Sequence, residues 1–205
     1  MIAFDGSKVD WAKGDGLIPA IVQDVNSLRV LMLGYVNLEA LEKTIATGLV
    51  TFFSRSKQRL WQKGETSGHV LHLRGIKLDC DNDTLLFQAE PVGPTCHNGT
   101  QTCFGDDEEP SLATLADLAA TIHKRRMEPE ASSYTAKLFA EGISRIAQKV
   151  GEEGVETALA AATRGANLKE EAADLLYHLL VLLEASDTGL TDVLKVLHNR
   201  AHAKK

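Results

Sequence analysis

Three cysteines, Cys80, Cys96 and Cys103, are the only ones in the 205-residue chain, and they fall within one short stretch that also carries Asp79, Asp81, Asp83 and His97. Three thiolates in such a cluster suit a zinc ion. A structural zinc takes four protein ligands, whereas a catalytic zinc keeps three and leaves the fourth place to water, so the count points to a hydrolytic centre. A disulfide competes with this reading, but the number is odd and no Cys-x-x-Cys pair occurs. Unligated cysteines buried in a core compete as well, since free Cys is among the most buried residue types. His97, beside Cys96, can act as a general base at neutral pH. His69 and His72 alternate in a strand-like segment and read as surface or satisfied residues.

A second set of acids lies further along. Glu153 and Glu156 are three apart, as are Glu171 and Asp174, while Glu152 and Glu170 reach the same partners at a spacing of four. On helices each set occupies one face. If the two helices pack antiparallel, the oxygens converge on a site suited to Mg²⁺, which takes oxygen ligands and binds phosphates. A solvated face is the alternative, with Glu152 and Glu153 in a first turn after Gly151, where the helix dipole favours negative charge. Val155, Leu159, Ala172 and Leu175 place the acids beside an apolar seam, and acids at the edge of a core need a cation.

The third feature is basic. Ser54 to Gly68 holds Arg55, Lys57, Arg59 and Lys63 together with Trp61, Glu65, Thr66 and Ser67. Positive charges and hydroxyls at that density suit phosphate, with a solvated loop as the competing reading. Trp61 can anchor a core or give a base a face to stack on.

The elements that must position these residues change character partway along. Ile18 to Gln23, Val30 to Tyr35 and Val50 to Ser54 are short β-branched and aromatic runs that predict strands, with a turn at Asn26-Ser27. Asn37 caps a short helix that stops at Gly48. From His69 to Leu78 the alternation changes phase at Gly75, which predicts a β-bulge and a strand that delivers Asp79 and Cys80 at its end. Gly105 to Pro110 reads as a charged linker, and Ser111 then caps a helix. Further helices are expected at Tyr134 to Val150, Glu152 to Arg164, Leu168 to Ala185 and Thr191 to Ala201, with Gly151 and Gly165 as breaks. The reading is of two domains: a mainly β (α+β) metal-binding domain over 1–107 and an all-α helical bundle over 108–205.

Composition limits the function. The formal charge is −6 and the pI near 5.6, against the basic footprint of a nucleic-acid binder. At 44% hydrophobic residues the chain can bury a sizeable core. The first residues lack the basic-then-apolar pattern of an export leader, and no apolar run is long enough for a membrane span, so a cytoplasmic protein is expected.

Gly16-Leu17-Ile18-Pro19-Ala20, Phe52-Phe53-Ser54-Arg55-Ser56, Leu60-Trp61-Gln62-Lys63-Gly64-Glu65-Thr66-Ser67-Gly68, Asp79-Cys80-Asp81-Asn82-Asp83 and Gly93-Pro94-Thr95-Cys96-His97 together closely resemble the phosphoribosyl-AMP cyclohydrolase family. Ser133-Tyr134-Thr135-Ala136-Lys137-Leu138, the run from Arg145 to Glu156, and Glu171 to His178 resemble phosphoribosyl-ATP pyrophosphohydrolase, so the whole is similar to the fused bifunctional enzymes of bacterial histidine biosynthesis.

The resemblance implies two consecutive hydrolyses: cleavage of phosphoribosyl-ATP to phosphoribosyl-AMP and pyrophosphate, then opening of the adenine ring between N1 and C6. It implies zinc on Cys80, Cys96 and Cys103, with His97 moving protons, and Mg²⁺ on Asp79, Asp81 and Asp83. The basic segment would hold the phosphoribosyl groups. In the second half it implies Mg²⁺ positioned by Glu152, Glu153, Glu156, Glu171 and Asp174. Arg145 and Lys149 would contact phosphate, and Ser133, Tyr134 and Lys137 would lie near the substrate. A homodimer with sites at the subunit interface is implied too. His69 stands where the family usually has Asn. Two rivals remain at this point: a zinc-bearing nucleic-acid module, and a general nucleoside-triphosphate pyrophosphatase fused to a different zinc deaminase.

Overall fold

The computed structural model describes residues 2–105, 110–163 and 167–203, which divide into two units, Met1–Ala113 and Thr114–Lys205. The expected linker at Gly105 to Pro110 lies, for residues 106–109, outside the described residues, as do Arg164 and the expected break at Gly165.

The first unit is built on a four-stranded sheet of β1 (Ile18–Asp24), β2 (Val30–Val36), β5 (Leu71–Leu78) and β6 (Leu85–Pro91), in the order β2-β1-β6-β5. β1 runs parallel to β6, while the pairs β1–β2 and β5–β6 are antiparallel. Alternation explains the core: Ile18, Ala20 and Val22 of β1 and Leu85, Phe87 and Ala89 of β6 point inward and are fully buried. The helix α1 (Leu38–Thr47) begins where the Asn37 side chain accepts the Ala40 amide and ends at Gly48, whose φ of 70° is left-handed.

A hairpin of β3 (Thr51–Ser54) and β4 (Arg59–Gln62) stands apart from the sheet. Its Phe52 lies so close over Gly34 of β2 that a Cβ there would meet the ring at 2.4 Å, so only glycine fits. The expected bulge in β5 is present, as a register shift between Leu73 and Gly75. Two strands go beyond the sequence expectation: β4 lies inside the basic segment, which folds as half of a hairpin and not as a loop, and β6 fills the place between the aspartate turn and Gly93.

The second unit is helical: α2 (Ala113–Met127), α3 (Tyr134–Glu141), α4 (Ile143–Ala162), α5 (Leu168–Ala185) and α6 (Leu190–His202). Ile122, Leu138, Ile146, Leu180 and Val181 form its buried centre. The expected break at Gly151 is wrong. The chain breaks at Gly142, where φ is +90°, and α4 runs straight through Gly151. Glu152 and Glu153 are therefore mid-helix, which removes the reading in which they cap a helix start. Among the described residues no helix is long and apolar enough to cross a membrane.

Candidate active sites

In the first unit a cavity of about 440 Å³ is lined by Trp61, Lys63, Glu65, Thr66 and Ser67 on one side and by Thr95, Cys96, His97 and Cys103 on the other. The turn after β4 supplies the first wall. It requires Gly64, with φ at +83° and no room for a Cβ against the His69 carbonyl. The second wall is the loop after β6, folded on itself by Cys96 N–H to Thr100 O and Gly99 N–H to Cys96 O, both 3.1 Å, and anchored where the Cys103 amide donates to Leu31 O at 2.7 Å. The buried Thr102 donates its hydroxyl to Gly105 O.

Lys63 is 8% exposed and donates to the His69 carbonyl at 3.2 Å. Burial pushes its pKa down, while charge on Cys103 and Cys96 pulls it up. The Asn98 amide and then the Thr100 hydroxyl lower the Cys96 thiol, and the His97 Nδ1 lies 3.8 Å from its sulfur. Burial, then neighbouring Cys96, raises Cys103. Two thiols on one wall are donors of the kind zinc takes, although with His97 they do not make a trio whose ligand atoms all lie within 4.8 Å.

An adjoining hollow of about 320 Å³ is lined by Ser54, Lys57, Arg59, Trp61, Glu65 and Thr66. Arg59 is paired with Glu65 at 2.6 Å. Trp61 stacks on Phe52 with centroids 5.6 Å apart and remains half-buried, so it lines both hollows. Arg55 is turned away, its guanidinium 3.8 Å over the Tyr35 ring. His69 is half-buried in the cavity wall against Gly93, whereas His72 is on β5 opposite Leu49.

Cys80 is elsewhere. As expected, β5 delivers Asp79 and Cys80 at its end, and the chain leaves it in a turn with Asn82 at φ +67°. Asp79 Oδ1 accepts the amides of Asp83 at 3.0 Å and Thr84 at 3.1 Å. Burial opposes ionisation of Asp79, but these amides outweigh it and hold the carboxyl below its usual range. The turn brings oxygens of Asp79, Asp81 and Asp83 within 4.8 Å of one another, a hard-cation donor set, and Cys80 is exposed beside them. The sulfurs of Cys80, Cys96 and Cys103 are not all within that distance of one another.

In the second unit, Glu153 of α4 and Glu171 and Asp174 of α5 place carboxylate oxygens within 4.8 Å of one another. Glu153 is only 5% exposed, and Lys149 Nζ stands 2.7 Å from its Oε1 and 2.9 Å from Glu152 Oε2. These acids raise the Lys149 pKa well above its ordinary value. Glu152 faces outward to Lys149, Gln148 and Arg145 and is not in the cluster. Glu156 is outside it as well, yet it feels the Glu153 and Glu171 charges. Arg145 also approaches Glu141 at 3.6 Å. Ser133 caps α3 by accepting the Ala136 amide, and Lys137 is exposed on that helix.

Sequence spacing gave no role to His178. It is buried between Tyr134 and Glu153, and its partner Tyr134 lies 44 positions away, beyond the reach of any helical periodicity.

One unit is β-rich with a thiol-and-imidazole cavity and the other is α-helical with a carboxylate cluster, two sites of the kind that hydrolases use. Residues 32–105 match the family described as phosphoribosyl-AMP cyclohydrolase, and residues 115–201 match phosphoribosyl-ATP pyrophosphohydrolase. The chain is 60% identical over 194 residues to the Histidine biosynthesis bifunctional protein HisIE of Salmonella typhimurium, covering 94% of this chain and 95% of that protein. It is 61% identical to the protein of that name from Xanthomonas campestris (94% and 92% covered) and 58% identical to that from Vibrio cholerae (94% and 93%). The chain belongs to this family of bifunctional histidine-biosynthesis enzymes.

Proposed function

We propose that the second unit hydrolyses phosphoribosyl-ATP to phosphoribosyl-AMP and pyrophosphate, and that the first opens the adenine ring of that product between N1 and C6. The observation that carries this reading is the pairing of a carboxylate cluster, buried Glu153 with half-buried Glu171 and exposed Asp174, with a cavity walled by Lys63, Cys96, His97 and Cys103. In the second unit the three acids, assisted by Glu156, hold Mg²⁺, which when bound neutralises charge on the triphosphate. Lys149, bonded to Glu153 of the cluster, and Arg145, paired with Glu152 outside it, contact the phosphates.

In the first unit Lys63 and the Lys57–Arg59 hollow hold phosphoribosyl groups, Trp61 offers a face to the base, and His97 moves a proton to the opening ring. Cys96 and Cys103 hold zinc, which when bound supplies a water activated at neutral pH. Asp79, Asp81 and Asp83 hold Mg²⁺.

The working form is a homodimer in the cytoplasm, in which Cys80 completes the zinc site of the other copy. Exposed apolar residues support a dimer: Val155 and Leu159 on α4, Leu176 and Leu179 on α5. The cut proposed at 107/108 lies six residues before the division between the units at Ala113 and Thr114, and fragments 1–107 and 108–205 are each expected to fold. Turnover of phosphoribosyl-ATP against ATP, dATP and dCTP tests the substrate assignment. Strong preference for phosphoribosyl-ATP supports it, and equal turnover of all four makes the second unit a general nucleoside-triphosphate pyrophosphatase.

A further inference from the structure

His178 is 5% exposed, and its Nδ1 lies 2.9 Å from the Asp174 carbonyl oxygen. A carbonyl only accepts, so Nδ1 carries the proton, and in the uncharged ring Nε2 is left as an acceptor. The Tyr134 hydroxyl stands 3.2 Å from that nitrogen and donates to it. The Nδ1 edge is also 3.8 Å from Glu153 Oε1, so a single imidazole links the carboxylate cluster to the first turn of α3.

A second bond runs beside the first. Tyr177 and Thr135 share a hydroxyl contact of 2.8 Å, and Arg125 donates to Thr135 at 3.1 Å. Two consecutive residues of α3 are thus docked on two consecutive residues of α5, and the Tyr134 ring packs against Tyr177 and the edge of His178. Tyr134 is nonetheless 51% exposed. A ring held at its hydroxyl and along one side, and open to solvent on the rest, is a fixed wall near the acids assigned to Mg²⁺.

We propose that His178 is a positioning residue of the pyrophosphohydrolase: by accepting the Tyr134 hydroxyl it fixes that ring as a wall against which the nucleotide packs. It acts through Tyr134 and not through the metal, although it lies next to two of the acids. This inference rests on the assignment of phosphoribosyl-ATP cleavage to the second unit, and wild-type turnover in the same assay tests that assignment separately.

The test is a double-mutant cycle in the full chain with Tyr134→Phe and His178→Asn, plus His178→Gln, whose amide oxygen can accept near the place of Nε2. Tyr134→Phe and His178→Asn should each raise KM for phosphoribosyl-ATP about tenfold, the upper end for one neutral hydrogen bond, with a smaller fall in kcat. The double variant should be no worse than the poorer single one, and His178→Gln should recover most of the loss. Mn²⁺ affinity at the carboxylate cluster, read by electron paramagnetic resonance, should not change, nor should ring opening of supplied phosphoribosyl-AMP. Additive losses, a wild-type KM for Tyr134→Phe, or a Mn²⁺ affinity that falls with His178→Asn would each overturn the proposal. Tyr134→Phe removes one oxygen from a half-exposed ring, so the cycle retains a foldable arm even if His178→Asn does not fold.

Discussion

Cys80 and Cys103 stand at opposite corners of one sheet. Cys80 lies two residues beyond Leu78, the end of β5, at the edge where Leu78 pairs with Leu85, while the Cys103 amide is bonded to Leu31 of β2, the other edge strand. Three strand spacings across, and several residues along, separate them by on the order of 20 Å. Side-chain motion cannot close that gap. If both serve zinc, they serve it in different copies of the chain.

Subunit complementation follows. Cys80→Ser and Cys103→Ser should each abolish ring opening. After mixing and reassociation, about half the dimers should be mixed, each with one intact site of two, which restores about one quarter of wild-type activity. A mixture as inactive as its parents would show that each chain builds its own site.

Glu156 gives a pH dependence with a definite sign. Desolvation, then the Glu153 and Glu171 charges, hold its carboxyl above the usual range. A carboxyl whose folded pKa is raised binds more protons folded than unfolded, so stability falls as pH rises from the unfolded value through the folded one. Metal-free Glu156→Gln should therefore unfold at a higher temperature than wild type at pH 7. The difference should be small because Glu156 is exposed and screened, and it should close below about pH 4, where both states are protonated. Calorimetry in chelator checks this, and a less stable variant at pH 7 would contradict it.

Lys13 is paired with the aspartate turn. Its Nζ lies 2.8 Å from Asp81 Oδ2 and 3.4 Å from Asp83 Oδ2, and the Asp81 contact raises the lysine pKa. Lys13→Gln should tighten Mn²⁺ binding at this turn about three- to tenfold, the scale of two exposed ion pairs. Titration in a Glu153→Gln background, which disables the other cluster, isolates the turn. Weaker binding in the variant would show that Lys13 supports the site.

Much of this was legible because local chemistry dictated it. The Asn37 cap, the Gly48 stop and the phase change at Gly75 each need only neighbouring residues, and all three are present. Gly142 and Gly151 could not be told apart, because a helix interior tolerates glycine at about 1 kcal/mol; only the backbone at Gly142 needs positive φ. The β6 alternation of Leu85, Phe87 and Ala89 was obscured by Leu86 on the opposite face. Spacing brought the acids of α4 and α5 to notice but could not show that Glu152 turns outward or that Cys80 is remote from the other thiols. Those facts depend on packing between distant segments.

The central claim is that one chain carries two separable hydrolytic sites acting in sequence, and a crosswise assay tests it most directly. Pyrophosphate release and ring opening are followed separately in Cys96→Ser and Glu153→Gln. Cys96→Ser should release pyrophosphate from phosphoribosyl-ATP at the wild-type rate and accumulate phosphoribosyl-AMP. Glu153→Gln should open supplied phosphoribosyl-AMP normally but lose pyrophosphate release by about three orders of magnitude or more, as expected when a metal-holding charge is removed. Loss of both activities in either folded variant, or loss of neither, would contradict the account.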